Sequence, residues 1–285
     1  MRLLRFGPAG SERPAAQLNT GVTLDLSPIT SDIDSSFLSD WPRHRHTILS
    51  GRLEEIDIGS ERIGPPVATP GAVYGIGLNY ASHAEETAME LPPDPLVFMV
   101  APSSITGPHD DIVLPPGSTA GDWEVELGVV IGRRAHLLDS PEAAREVVFG
   151  YVAANDVSER RWQMERGGQW TKGKSFPTAH PIGPYLVTAD ELEPDAELDL
   201  ILTVNGESRQ YGNTRDMIFP VDHIIWHLTQ FTELRPGDLI LTGTPHGVGF
   251  GRKPAVFLRD GDVIDLEVQE VGLQRNVVRI PPARH

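Results

Sequence analysis

The chain contains no cysteine, which excludes disulfide bonds, thiolate metal sites and cysteine nucleophiles. Basic residues are also scarce, because 24 lysines and arginines stand against 40 aspartates and glutamates, for a net charge of -16. This excess of negative charge argues against binding to nucleic acids or anionic membranes. The sequence has no apolar run of about 18 residues, the length that spans a membrane, and its first residues lack the apolar core of a signal peptide. We therefore expect a cytosolic protein.

A segment dense in proline and glycine, residues 63–71, divides the sequence. Proline and glycine interrupt regular structure, so this segment is typical of a linker. The chain has 285 residues, of which 39% are hydrophobic and 22% charged, and this length accommodates one large domain or a large and a small one. We predict a small N-terminal domain over residues 1–70 and a larger domain over residues 71–285.

Hydrophobic patterning predicts more strands than helices. Apolar and β-branched runs predict strands over residues 3–6, 22–26, 72–76, 96–100, 111–114, 124–131, 147–154, 198–204, 207–210, 239–242 and 263–268. Helices are expected within residues 31–49, 79–87, 140–149 and 221–231, and Asn205-Gly206 predicts a hairpin turn. Because strands and helices do not alternate regularly, we expect an α+β fold that is mainly β.

Two glutamates, Glu124 and Glu126, stand two residues apart at the start of a strongly apolar, β-branched run. In a strand, residues at this spacing point to the same face, where two like charges repel each other. A hard cation such as Mg²⁺ or Mn²⁺ would relieve the repulsion, because such ions prefer carboxylate oxygens. The alternative is a solvated edge strand whose acidic side chains point outward.

A third carboxylate, Asp156, follows the apolar strand predicted over residues 147–154. The distance between Asp156 and the glutamate pair fits a strand, a helix and a returning strand, which would bring Asp156 beside Glu124 and Glu126. Three carboxylates on one side of a cation would leave positions for water and substrate. In the alternative, Asp156 caps the following helix, with Glu159 at the capping-box position.

A histidine and a glutamate, His83 and Glu86, are three residues apart in a predicted helix and so share one face. A carboxylate beside an imidazole fixes the orientation of the ring, as a general base acting on water requires. The alternative is an ion pair on an exposed helix surface.

Two loops carry further polar groups. Lys174 lies in a segment punctuated by glycine and proline, and a lysine ammonium can stabilise a carboxylate or a developing oxyanion. The glycine-rich stretch at residues 243–249 offers the Thr244 hydroxyl and backbone N–H groups, but it lacks the lysine of a phosphate-binding loop. The stretch at residues 75–80 is not a dinucleotide fingerprint, because Tyr80 replaces the third glycine.

Taken together, these segments resemble the fumarylacetoacetate hydrolase family. The resemblance covers about residues 71–280 and rests on the order and spacing of six blocks. The blocks are GLNYASH at 77–83, WEVELGVVIGR at 123–133, YVAANDVSER at 151–160, GKSF at 173–176, PIGP at 181–184 and PGDLILTGTPHGVG at 236–249. The resemblance implies a mixed β-sandwich roll that forms a homodimer. It also implies that the segment before residue 71 is an accessory domain of the kind found in some bacterial members.

The resemblance assigns a role to each candidate residue. It implies that Glu124, Glu126 and Asp156 bind Mg²⁺ or Mn²⁺, with Ca²⁺ as a substitute. His83 and Glu86 resemble the pair that activates water, and Lys174 resembles the lysine near the substrate. The positions that resemble substrate-binding residues are Tyr80, Arg160, Gln163, Gly243 and Thr244.

From the resemblance we expect a metal-dependent hydrolase that cleaves a C–C bond in a β-dicarbonyl acid such as an acylpyruvate, as in the breakdown of aromatic compounds. The alternative is a decarboxylase, an isomerase or a lyase acting on a 2-oxo acid at the same metal site. The expected partner is thus a small 2-oxo or 1,3-dicarbonyl acid. One position departs from the family pattern: Pro177 stands where many members have aspartate, which affects the expected loop geometry and substrate preference.

Overall fold

The computed structural model describes residues 1–193 and 196–283. Its strands are β1 (Arg2–Phe6), β2 (Arg13–Gln17), β3 (Thr23–Asp25), β4 (Ile63–Gly64), β5 (Val73–Gly77), β6 (Leu96–Val100), β7 (Ile105–Thr106), β8 (Ile112–Val113), β9 (Gly121–Asp122), β10 (Val125–Ile131), β11 (Val148–Asn155), β12 (Ser158–Glu159), β13 (His180–Pro181), β14 (Leu186–Thr188), β15 (Asp199–Val204), β16 (Glu207–Asn213), β17 (Leu239–Leu241), β18 (Val263–Val268) and β19 (Gly272–Arg279). The α-helices are α1 (Ser35–Ser39), α2 (Trp41–Ile48), α3 (Ala81–Thr87), α4 (Pro141–Ala144), α5 (Arg160–Met164), α6 (Thr171–Lys174) and α7 (Val221–Thr229). Short 3₁₀ turns lie at Pro102–Ser104, Arg145–Val147, Ala189–Glu191 and Thr214–Asp216.

The large sheet has ten strands in the order β3-β2-β1-β14-β11-β10-β17-β5-β6, with β4 also paired to β1. Strand β10 lies in its interior, between β11 and β17. Every residue of β10 is buried, which explains its nearly continuous apolar sequence, since a strand covered on both faces needs no polar alternation. The solvated edge strand considered for this segment is therefore wrong.

A second sheet of five strands, in the order β16-β15-β18-β19-β8, packs against the large one. Alternate residues of β15 are buried, as expected for a strand with one face on a core. Val125 and Leu127 of β10 share a hydrophobic core with Leu202 of β15 and Ile264 of β18. The packing of the two sheets confirms the predicted mixed β-sandwich of the α+β class.

The N-terminal segment continues both the sheet and the core of the rest of the chain. Strand β1 pairs with β14, with Leu3 opposite Leu186. Phe37 and Leu38 of α1 belong to the same hydrophobic cluster as Val130 of β10. The domain boundary predicted at residue 70 stays a prediction, and the segments on its two sides contribute strands to one sheet.

Several local features differ from those expected. Strands β2 and β19 were not predicted, and the glycine-containing segment around Lys174 forms the short helix α6. Ser140 lies at the N-cap of α4, but its side chain makes no capping hydrogen bond. No helix among residues 1–193 and 196–283 is long and apolar enough to cross a membrane.

Substitution of Leu38 tests whether the N-terminal segment shares its stability with the sandwich. Leu38 is 1% exposed in the common core, whereas Leu49 is 53% exposed. We expect Leu38→Ala to lower the free energy of unfolding by about 2–5 kcal/mol because it leaves a cavity, and Leu49→Ala to change it by less than about 0.5 kcal/mol. Calorimetry should show one transition that shifts as a whole. A separate transition that alone responds to Leu38→Ala would mean that residues 1–70 unfold as an independent domain.

Candidate metal centre and active site

Three carboxylates meet at one end of the ladder between β10 and β11. Glu126 lies on β10, and Glu124 immediately precedes that strand. The two strands are antiparallel, with Glu126 opposite Ala154, and the backbone N–H of Asp156 donates to the carbonyl of Glu124 at 2.9 Å. The strand, helix and strand predicted between the glutamates and Asp156 are present, and they return Asp156 to the side of Glu124.

The three side chains have the geometry of a cation site. One oxygen from each of Glu124, Glu126 and Asp156 lies within 4.8 Å of the others, and the three residues are only 5%, 2% and 1% exposed. A carboxylate has about four lone-pair positions, so hydrogen bonds from the protein leave capacity for a metal. An all-oxygen donor set suits Mg²⁺, Mn²⁺ or Ca²⁺. The residues present therefore fit a divalent metal.

The capping role considered for Asp156 does not occur. Helix α5 is capped by Glu159, whose carboxylate accepts the backbone N–H of Trp162 at 2.7 Å. Asp156 is left to face the glutamates and the positively charged side chains around them.

Two buried cations hold the cluster together. The Lys174 ammonium donates to Glu124 Oε2 at 2.7 Å and to Asp156 Oδ2 at 2.6 Å, and Arg160 Nη2 donates to Glu124 Oε1 at 2.7 Å. Burial opposes the charge on Lys174, but Asp156 and Glu124 outweigh it and raise the pKa of the ammonium. Burial likewise opposes ionisation of Glu124, and Arg160 and Lys174 outweigh it and lower the pKa of that carboxyl.

Glu126 is the least compensated member of the cluster. Burial, together with repulsion from Asp156 and Glu124, raises the pKa of the Glu126 carboxyl well above its ordinary value. The backbone N–H of Gly243 donates to Glu126 Oε2 at 2.7 Å, so Gly243 holds this carboxylate in place. A divalent cation would supply the positive charge that Glu126 lacks.

A fourth carboxylate, Asp122, was not assigned a role from the sequence. Its side chain is fully buried and accepts Arg160 Nε at 2.8 Å and the backbone N–H of Gly249 at 2.7 Å. Asp122 thus joins Arg160 to the glycine-rich loop, and we refer to Asp122, Glu124, Glu126 and Asp156 as the carboxylate cluster. The alternation of acidic residues at 122, 124 and 126 was the signal that could have revealed it.

A buried histidine, His180, was also missed. Its Nε2 lies 2.8 Å from Asp156 Oδ1, and its Nδ1 lies 2.7 Å from Ser104 Oγ. Hydrogen bonds of this kind orient a carboxylate toward a metal. No pattern in the sequence marked His180, because its partners come from distant parts of the chain.

The predicted base pair has the expected geometry. His83 Nδ1 lies 2.9 Å from Glu86 Oε1 on α3, and the Gly247 backbone N–H donates to Glu86 Oε2 at 2.9 Å. Glu86 is therefore fixed between the helix and the glycine-rich loop, and its carboxylate is the hydrogen-bond partner of Nδ1 of His83. The ring nitrogen that Glu86 leaves unoccupied is Nε2. The exposed ion pair considered as the alternative does not fit, because His83 is buried.

His83 and the three metal-ligand candidates line one cavity, together with Lys174. The space open to the centre of a water-sized sphere is about 30 Å³, enough for an ion or a water molecule, and the whole empty volume of the cleft, including the part open to solvent, is about 450 Å³.

The predicted substrate-binding residues divide into two groups. Arg160, Gln163 and Thr244 line the cavity; Gln163 Oε1 accepts Arg160 Nη1 at 2.9 Å, and the Thr244 hydroxyl donates to the Val125 carbonyl. Gly243 and Tyr80 are not part of the lining.

Tyr80 lies behind the cavity, where its hydroxyl is buried and finds no hydrogen-bond partner among the described residues. Burial, together with the charge of Glu126, raises the pKa of this phenol well above its ordinary value. The structure thus places Tyr80 in the packing behind Glu126, and a substrate contact for it stays a prediction.

Comparison with known proteins identifies the family. The sequence pattern described as "Fumarylacetoacetate (FAA) hydrolase C-terminal" matches residues 72–279. A protein of Burkholderia multivorans is 48% identical over 98% of this chain and 99% of its own length. The maleylpyruvate hydrolase from Sphingobium sp. SYK-6, solved with manganese(II) and pyruvate, is 28% identical with a TM-score of 0.81, covering 99% of this chain and 100% of that one. The 2-hydroxyhepta-2,4-diene-1,7-dioate isomerase from Mycobacterium marinum is 30% identical with a TM-score of 0.75, over 98% of both chains. The chain therefore belongs to the fumarylacetoacetate hydrolase family of enzymes.

Proposed function

We propose that this enzyme is a divalent-metal-dependent hydrolase that cleaves a C–C bond in a β-dicarbonyl acid of the acylpyruvate type. The observation that carries the proposal is that one cavity is lined both by the three carboxylates that fit a cation and by His83, whose Nδ1 is paired with Glu86. Pure metal binding needs only the first of these, whereas hydrolysis also needs a base for water.

Each of the proposed catalytic residues would serve a different step of the reaction. A bound Mg²⁺ or Mn²⁺ would act as a Lewis acid toward the carboxylate and oxo group of the substrate. His83 would accept a proton at Nε2 from the water that adds to the distal carbonyl, while Glu86 holds the ring and balances its charge. The C–C bond then breaks to give a carboxylic acid and the enolate of a 2-oxo acid. Lys174 would stabilise the negative charge of that enolate until the proton held on His83 is transferred to its carbon.

A decarboxylase or an isomerase acting on a 2-oxo acid is the second candidate. It is favoured by the likeness to the Mycobacterium marinum isomerase, because stabilisation of an enolate at the same metal site would serve both reactions. Decarboxylation requires no attacking water, so it should depend on the carboxylates and not on His83.

The Sphingobium hydrolase solved with manganese(II) supports a divalent metal in this enzyme, and the three carboxylates suit Mg²⁺ equally well. The choice of metal, the homodimer and the cytosolic location stay predictions.

Removal of one metal ligand should abolish tight metal binding. We expect Glu126→Gln to weaken Mn²⁺ binding by at least about a hundredfold, since even the loss of an outer hydrogen bond to a ligand weakens binding 10- to 100-fold, and to abolish acylpyruvate hydrolysis. Titration calorimetry measures the affinity. The matched control is Glu142→Gln, a change at an exposed position that should leave Mn²⁺ affinity and turnover unaltered. Unchanged affinity in Glu126→Gln would refute the site.

Replacement of His83, the proposed base, should lower the rate of hydrolysis without weakening metal binding. We expect His83→Gln to lower kcat for acylpyruvate hydrolysis by about 10²–10⁴-fold, with Mn²⁺ affinity preserved. Glu86→Gln should have a smaller effect in the same direction. The control is His46→Gln, which changes an exposed histidine. Full hydrolytic activity in His83→Gln would exclude this residue as the base.

The raised pKa of Glu126 predicts that metal binding depends on pH. In the metal-free protein, Glu126 keeps its proton at pH values above the ordinary pKa of a glutamate. Mn²⁺ must displace that proton to bind. Affinity should therefore rise with pH until it passes the raised pKa, and binding below that point should release about one proton. Calorimetry in buffers of different ionisation enthalpy counts the protons. Affinity that is flat between about pH 5 and 8, with no proton release, would contradict the assignment.

A further inference from the structure

The cavity lining is rich in apolar side chains, which include Leu78, Met89, Phe98, Met164, Trp170 and Phe250, beside the uncharged polar residues Thr87 and Gln163. The ring centroids of Phe98 and Trp170 lie 5.4 Å apart, and the Lys174 ammonium lies 5.3 Å from the centroid of Phe98. The aromatic wall formed by Phe98 and Trp170 thus begins beside the charged residues.

This aromatic wall fits against two glycines of β5. A Cβ atom at Gly75 would lie 2.2 Å from the Phe98 ring, and a Cβ atom at Gly77 would lie 2.4 Å from the Trp170 ring. Both distances are far shorter than van der Waals contact. The rings therefore occupy the space of the missing side chains, so that the apolar wall is a fixed part of the fold.

The charges around the cluster sum to zero once a metal is bound. Four carboxylates face the two cations Arg160 and Lys174, and both cations donate to these carboxylates. A divalent cation would complete the balance. The single carboxylate of a 2-oxo acid would then be held by the metal, and no positive charge would remain for a second carboxylate.

Other cations near the aromatic wall are engaged elsewhere. Lys172 Nζ donates to the carbonyl of Arg166 at 2.6 Å, and the Arg166 guanidinium lies 5.0 Å from the centroid of the Trp162 ring. Within the described parts of the chain, Arg160 and Lys174 are the only lysine or arginine side chains in the cavity lining. The distal end of a bound substrate would therefore find no further lysine or arginine in the described lining.

We propose that the site selects 2-oxo acids whose distal end is apolar, an aryl or alkyl acyl group, over acids that carry a second carboxylate at that end. A second carboxylate would lose its hydration without gaining a cationic partner, which is unfavourable, whereas an aryl group would gain contact with Phe98 and Trp170. The inference rests on the proposed function only in placing the 2-oxo carboxylate at the metal.

The test compares the binding of two 2-oxo acids that the enzyme cannot hydrolyse, since neither has a 1,3-dicarbonyl group. The probes are 2-oxo-4-phenylbutanoate and 2-oxoadipate, titrated by calorimetry into the full chain loaded with Mn²⁺. We expect the phenyl compound to bind at least about tenfold more tightly. Equal affinity, a preference for 2-oxoadipate, or no binding of either to the Mn²⁺-loaded protein would overturn the inference. This test measures binding and not turnover. Failure of the hydrolase proposal would be seen in a separate assay, in which the enzyme does not hydrolyse acylpyruvates.

A positive charge placed in the aromatic wall should weaken or reverse the preference for the phenyl compound. Trp170→Lys introduces an ammonium group into the lining and should reduce or invert the ratio of the two affinities. Met164→Lys provides a second, independent position. Trp162→Lys is the matched control, because Trp162 stacks on Arg166 outside the lining, and it should keep the wild-type ratio. Mn²⁺ affinity confirms that each variant is folded. A wild-type ratio in both lining variants would overturn the inference.

Discussion

Mutual repulsion within a buried carboxylate cluster is the constraint on which the site depends. Glu124, Glu126 and Asp156 offer oxygens within 4.8 Å of one another, and each residue is at most 5% exposed to solvent. Lys174 and Arg160 neutralise part of this charge through hydrogen bonds of 2.6–2.7 Å to Glu124 and Asp156. The uncompensated remainder appears in the raised pKa of Glu126. A buried site suited to a cation therefore lies at the end of the β10–β11 ladder, and its geometry follows from the pairing of these two strands.

The sequence carried most of this site because the carboxylates and the base pair are close along the chain or lie at the ends of strongly patterned strands. The register of β10 and β11 follows from two apolar runs joined by a short helix, so Asp156 could be placed beside Glu124. The resemblance added expected roles to Lys174, the histidine–glutamate pair and the glycine-rich loop, whose positions local pattern had already marked. Local pattern also predicted the hairpin at Asn205, which has the positive φ of 54° that such a turn requires.

What the sequence did not reveal depends on contacts between distant segments. Asp122 is defined by its bonds to Arg160 and Gly249, and His180 by its bonds to Asp156 and Ser104. No local period records such partners. Likewise, the linker composition of residues 63–71 gave no sign that β1 would pair with β14 in the large sheet. The sequence also did not reveal the aromatic wall, because it depends on glycines of β5 that pack against the ring of Phe98 on β6 and the ring of Trp170 in the loop before α6.

The central claim is that three carboxylates hold one divalent metal. The most direct measurement is an anomalous difference map from crystals grown with Mn²⁺, recorded at the manganese absorption edge. The account predicts a single strong peak between the side chains of Glu124, Glu126 and Asp156, about 2.0–2.6 Å from an oxygen of each. A peak elsewhere in the molecule, with none at this position, would contradict it.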